Sequence, residues 1–245
     1  MEIHFIIVLS FIVFLASMVH GSIGFGFGMI STPIIALFTD IQTTIILMLI
    51  PTMITNIISI VNEGKFFEAL YKFRFLIMIM MIGSIIGTLL LIYTNSDYFK
   101  LLLAFIIFLY LFQSNINLQL SFISKYPKTS TSVVGIVGGI ISGLTNIVAP
   151  LLIMYSMEHN YTKKDTIQLS NLCFLFTKSS QLVIFLYFGS FTMQIMETSI
   201  IGIISVFLGL FIGIKIKRRI NAKLYTKILK IVLFTVASVL VITTI

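Results

Sequence analysis

Ionisable side chains are scarce in this chain. Only 10% of its 245 residues are charged, against about 25% in a typical soluble domain, while 58% are hydrophobic and the mean hydropathy is +1.13. A water-soluble core of this size cannot hide so much apolar surface, so most of it must face lipid. Cysteine is nearly absent. The single Cys173 sits in an apolar run, which excludes an intrachain disulfide and a cysteine metal cluster. The apolar runs also lack acid: Glu2, Asp40, Glu63, Glu68, Asp97, Glu158, Asp165 and Glu197 fall at the N-terminus, in loops or at helix ends. Paired intramembrane aspartates of a protease are therefore excluded. No HExxH, Gly-x-Ser-x-Gly, Walker or zinc pattern occurs, so the chain reads as a non-enzyme with no cofactor and no metal. A basic n-region is missing too, and Met1 to Ser17 reads as a retained first span rather than a cleaved signal. No soluble catalytic or receptor domain is expected outside the membrane.

What is present is a series of long apolar runs. A spanning helix needs about 20 apolar residues, and runs of that kind cover 3–38, 41–62, 71–94, 98–118, 131–157, 165–189, 194–214 and 224–245. The expected fold is all-α: a polytopic membrane helix bundle of about eight transmembrane helices. The first run is too long for one straight helix across a hydrocarbon core of about 30 Å. Its centre is Gly21-Ser22-Ile23-Gly24-Phe25-Gly26-Phe27-Gly28, followed by Pro33. Such a cluster should break the helix, leaving half-helices or a re-entrant segment, and a break survives in lipid only inside protein or beside water.

The second half repeats the first. Gly21, Gly26 and Pro33 return 117 positions later as Gly138, Gly143 and Pro150, and Thr52 and Gly64 return at 125 as Thr177 and Gly189. Gly83-x-x-x-Gly87 returns at 126 as Gly209-x-x-x-Gly213, and Tyr98 with Lys100 at 127 as Tyr225 with Lys227. The whole chain, 1–245, is then a single membrane domain with repeats over 1–120 and 130–245, four helices each, the first helix of each broken. An even number of spans per half makes the halves parallel; a full extra crossing at each glycine segment makes them inverted.

The net charge of +8 is concentrated between Lys215 and Lys230. Lying between apolar segments, this run answers to the positive-inside rule and to anionic lipid, not to nucleic acid. With eight spans it shares a side with Lys163 and Lys164, while Lys65, Lys72, Arg74, Lys125 and Lys128 fall opposite. The larger set is placed in the cytoplasm, with both termini outside.

Transporters often bind substrate near the midplane, where broken helices of two repeats meet. A half-helix starting after the glycines points N–H groups and partial positive charge into the membrane. Candidate binding residues there are Gly24, Gly26, Gly28 and Ser31 in the first segment and Thr145 and Asn146 in the second. Lys178 is the sharpest single signal, since a lysine at mid-membrane costs roughly 2.5–3.5 kcal/mol on insertion scales. Either it awaits an anionic substrate or carbonyls of a broken helix hold it. Asn171 and Gln181 share its helix face, and Thr52, Thr55, Asn56 and Ser59 form a polar stripe on the second run. Of these, Gln181, Asn56 and Thr52 join the candidate site, with interhelical hydrogen bonding as the structural alternative. By the repeat, Asn56 matches Gln181, while Met53 stands where Lys178 does, so the charge comes from one half only. His20, just before the glycines, is a candidate proton carrier or a helix-end cap.

The segment Gly21 to Pro33, its echo Gly138-Gly-Ile-Ile-Ser-Gly-Leu-Thr-Asn-Ile-Val-Ala-Pro150 and the lysine in the sixth run resemble the sulfite exporter TauE/SafE family over nearly the whole chain. The resemblance implies a bacterial inner-membrane permease for sulfite, thiosulfate or organosulfonates such as sulfoacetate. Its partners would be a small anion, the lipid bilayer and, as an open matter, further copies of the chain. Thr145-Asn146-Ile147 departs from the family pattern, where further glycines are common. An anion channel, or a membrane assembly or accessory protein without flux, is the alternative.

Overall fold

The computed structural model describes residues 3–94, 96–116, 126–216 and 222–244, with side chains for all of these except 96–97, 113–116 and 222–229. Ten helices are present among the described residues, and no strand. They are α1 (Ile3–Ile23), α2 (Phe27–Ile35), α3 (Ile41–Glu63), α4 (Phe66–Tyr93), α5 (Ser96–Ile116), α6 (Pro127–Thr145), α7 (Ala149–Glu158), α8 (Lys163–Tyr187), α9 (Met193–Ile216) and α10 (Ala222–Thr244). Five of them, α1, α3, α4, α8 and α9, are long and apolar enough to cross a membrane, and shorter apolar helical stretches cover Tyr98–Phe112 and Lys230–Thr244. Polar signals set the ends: Asp40 caps α3 by accepting the Thr43 N–H at 2.8 Å, and Thr162 caps α8 through the Asp165 N–H at 3.1 Å.

One face of each long helix is left to lipid. On α4 the exposed side chains are Phe75, Met78, Ile82, Ile86 and Leu90. Its opposite face carries Gly83 and Gly87, where an added Cβ would strike the carbonyls of Ile136 and Ile140 on α6. The two backbones touch, as a Gly-x-x-x-Gly spacing permits. Gly209 and Gly213 of α9 lie in the same way against Phe14 and Met18 of α1.

These seams fix helix direction. Gly83 meets Gly139 and Gly87 meets Gly143, so α4 and α6 run the same way. Gly209 meets Phe14 to Met18 and Gly213 meets Met18 to Gly21, so α1 and α9 also run together. α3 follows α9, with Ser199 donating to the Leu47 carbonyl and Gly202 beside Pro51. α8 follows α4, since Lys72 pairs with Asp165 and Ser84 donates to the Thr177 carbonyl. α8 therefore opposes α3. Its Gln168 reaches the end of α3 at the Ile60 carbonyl, and its Phe174 lies deeper, near Asn56 and Thr52.

The glycine segments turn the chain back. The His20 ring accepts the Phe27 N–H at the start of α2 and bonds Ser59 near the end of α3. Because α2 must deliver the chain to the start of α3, it doubles back along α1. Likewise α7 returns along α6, and Tyr155 bonds Thr131 near the start of α6 at 2.8 Å. Both long runs, 3–38 and 131–157, are thus hairpins of one long and one short helix, where single broken spans were expected. The matched pairs α1 and α6, α3 and α8, and α4 and α9 point in opposite directions, so the expected parallel halves give way to opposed ones. The turn is set by glycine, because Gly24 and Gly26 have φ of 104° and 105°, a region L side chains rarely enter. Pro33 lies inside α2, and Pro150 sits in the first turn of α7, where its missing N–H costs nothing.

Helix direction also corrects the charge map. Lys164, expected opposite Lys65 and Lys72, lines one cavity with them. The described positions Lys65, Lys72, Arg74, Lys128, Lys163, Lys164, Lys215, Lys223, Lys227 and Lys230 all fall toward one end of the bundle. Lys100 alone is toward the other end among the described residues, and Lys178 is central. Lys125, Lys217, Arg218 and Arg219 lie outside the described residues.

Candidate functional site

The turns of the two hairpins pass each other in the middle of the bundle. A Cβ added at Gly28 would strike the Asn146 carbonyl at 2.8 Å, and Asn146 Nδ2 donates to Thr32 Oγ1 at 2.9 Å. Around these turns the structure forms two unlike clusters.

The first is a cavity of about 210 Å³ walled by the backbone from Phe25 to Gly28 together with His20, Thr52, Asn56 and Phe174. α2 begins here, with Gly26 at its N-cap. Its Phe27 N–H goes to His20 Nδ1 at 3.3 Å, and its Ile30 N–H finds the Gly26 carbonyl at 3.3 Å. The amides of Gly28 and Met29 lie between them, in the first turn, where a helix has no acceptors of its own. Because Nδ1 accepts, the His20 proton sits on Nε2, which bonds Ser59 Oγ at 2.8 Å; the imidazole is neutral. Thr52 Oγ1 gives its proton to the Met48 carbonyl. Asn56 is 2% exposed and its Nδ2 has no hydrogen-bond partner. A buried amide without a partner costs about 1–3 kcal/mol. The cavity thus holds one unused donor beside the positive end of a nine-residue helix, and no ionised side chain lines it.

The second cluster surrounds Lys178, which is 0% exposed. Its ammonium donates to the Ser142 carbonyl at 3.2 Å and to Gln181 Oε1, while Gln181 Nε2 donates to the Gly143 carbonyl at 2.9 Å. Those carbonyls belong to the end of α6, the negative end of its dipole. Of the two sequence alternatives, the structure places Lys178 on helix-end carbonyls, with Gln181 beside it, and outside the first cavity. Neither ion pair among the described residues involves it.

Gly26, Gly28, Thr52, Asn56 and His20 are therefore together at one break, and Lys178 with Gln181 at the other. Asn146, in left-handed conformation at φ 60°, bridges the two. Gly24 lies just outside the cavity, its carbonyl accepting from Asn171 Nδ2 at 2.6 Å. Ser31 and Thr145 serve their own helix ends, bonding the carbonyls of Phe27 and Ile141. Sequence inspection missed Phe25, Phe27 and Phe174, which nothing distinguishes among 23 phenylalanines.

Two turns before Phe174, Gln168 lines a wider outer cavity of about 550 Å³ with Lys65, Lys72, Lys164, Glu68 and Asp165. Lys65 pairs with Glu68 and Lys72 with Asp165, each at 2.9 Å. The outer cavity lies at the lysine-rich end, on the same side of the crossed turns as the inner one. No group of three or more histidine, cysteine or acidic side chains placed to hold a metal occurs among the described residues.

No curated protein and no solved structure matches the chain. A family model does: residues 9–240 match Sulfite exporter TauE/SafE, and with nearly its whole length covered the chain belongs to the sulfite exporter TauE/SafE family.

Proposed function

We propose that this multi-pass membrane protein is a secondary transporter of small sulfur-containing anions such as sulfite, thiosulfate or organosulfonates, and that it binds them in the cavity at the α1–α2 turn. The family is one of membrane transporters for sulfite-type anions. The observation that carries the site is the buried Asn56 amide, donor-first and unpartnered, beside the start of α2. An anion accepts from it and from the first amides of α2, with Thr52 and the Gly26–Gly28 backbone shaping the wall. The halves are inverted repeats, and alternating access exchanges their states: one break is open while Lys178, Gln181 and Asn146 hold the other shut. Exchange would free Lys178 to meet the anion. His20 is the group for proton coupling, because a proton on Nδ1 breaks its bond to the Phe27 amide. The lysine-rich end faces the cytoplasm by the positive-inside rule, in the inner (plasma) membrane of a bacterium, which leaves both termini outside and the outer cavity as the inward vestibule.

A channel is the second candidate, and the closed Lys178 cluster argues against a continuous pore. Purified protein in liposomes decides between them. A carrier gives labelled sulfite uptake that saturates and is accelerated by unlabelled sulfite on the far side; uptake linear in concentration without that acceleration would favour the channel, and no flux would favour an accessory role.

A further inference from the structure

We infer that the α1–α2 cavity takes a monovalent ion, a small singly charged sulfur oxyanion such as hydrogen sulfite or a simple alkanesulfonate, and rejects dianions. This rests on the cavity being the transport site.

The inference comes from what the wall contains. Asn56 Nδ2 is an unpaired buried donor, and the start of α2 supplies roughly half an elementary charge. His20 is held neutral by the Phe27 N–H on Nδ1. Phe25, Phe27 and Phe174 make the remaining wall apolar. The one central cation, Lys178, is engaged at the other break by Ser142 and Gln181. An ion entering the cavity is therefore held by dipoles alone. Attraction to a fixed set of dipoles grows in proportion to the ion's charge, whereas the Born cost of leaving water grows with its square. Doubling the charge doubles the gain and quadruples the cost. A wall with a full ammonium would tolerate a dianion; this wall does not. A free volume of about 210 Å³ leaves room for a small oxyanion and little hydration water to share the second charge. Sulfite exchanges a proton near neutrality, so its singly protonated form is the species that fits.

The test uses ions whose charge is independent of pH. Methanesulfonate and sulfate are nearly the same shape and differ by one charge; thiosulfate is a second dianion. Uptake of labelled sulfite by the full-length protein in liposomes at pH 7 is measured against each competitor. Methanesulfonate should halve uptake at a concentration lower than sulfate or thiosulfate by about tenfold or more, equivalent to at least ~1.4 kcal/mol. Sulfate or thiosulfate competing as well as methanesulfonate overturns charge selection and leaves transport standing. Absence of saturable sulfite uptake removes the transport reading, and this inference with it.

Discussion

The two hairpin turns come from matching stretches of sequence, yet they differ in what occupies them. At the first, helix α2 begins with its amides turned to a cavity and the Asn56 donor idle. At the second, helix α6 ends with its carbonyls covered by the chain's own lysine and glutamine. One turn is electropositive and vacant of side chains; the other is electronegative and already satisfied. A repeat can thus conserve a bend while assigning opposite electrostatic tasks to it, through a single difference such as Lys178 in place of Met53.

The largest effect that would break this contrast is expected from Asn56→Asp. A carboxylate in the vacant cavity opposes an anion by several kcal/mol, so sulfite flux should fall about 100-fold or more with folded yield unchanged by size-exclusion chromatography. Wild-type flux in that variant would move the site elsewhere. Lys178→Met comes next: it removes a charge-assisted hydrogen bond worth about 1.5–3 kcal/mol, and flux should fall about tenfold while the protein still inserts. Flux within about twofold of wild type would make the lysine a helix cap only. The glycine seams should behave alike in both halves. Gly139→Ala and Gly213→Ala each force a Cβ onto a carbonyl, of Met80 and Met18, and each should lower thermal stability by about 1–3 kcal/mol; unequal losses would show the seams to be unequal. The smallest effect belongs to Gly26→Ala. Nothing lies within 4 Å of its added Cβ, so only the left-handed backbone is penalised, by about 1–2 kcal/mol, read as a modest fall in melting temperature.

Much of the architecture was legible in the sequence. The glycine clusters located both turns, because few other residues accept the φ values found at Gly24 and Gly26, and the Gly-x-x-x-Gly spacings located both seams. Helix direction was not legible. Hydropathy is blind to it, and a 21-residue helix followed by a nine-residue return has the composition of one long broken span. The side assigned to Lys163 and Lys164 failed for that reason, since each miscounted hairpin flips everything downstream. The partners of Lys178 were hidden as well. They include the backbone carbonyl of Ser142, 36 residues away, and carbonyls leave no trace in residue type. Asn56 was legible as polar on an inward stripe, but its lack of a partner depends on neighbours that only the folded arrangement specifies.

The glycine seams have a consequence for biosynthesis. Helix α1 finds its mate in α9 and α4 in α6, so neither half of the chain completes its own packing. A ribosome that has released only the first five helices leaves their smoothest faces unmatched in the bilayer. The earliest helix to insert must wait for one of the last, and an N-terminal fragment ending near residue 116 is no miniature of the whole.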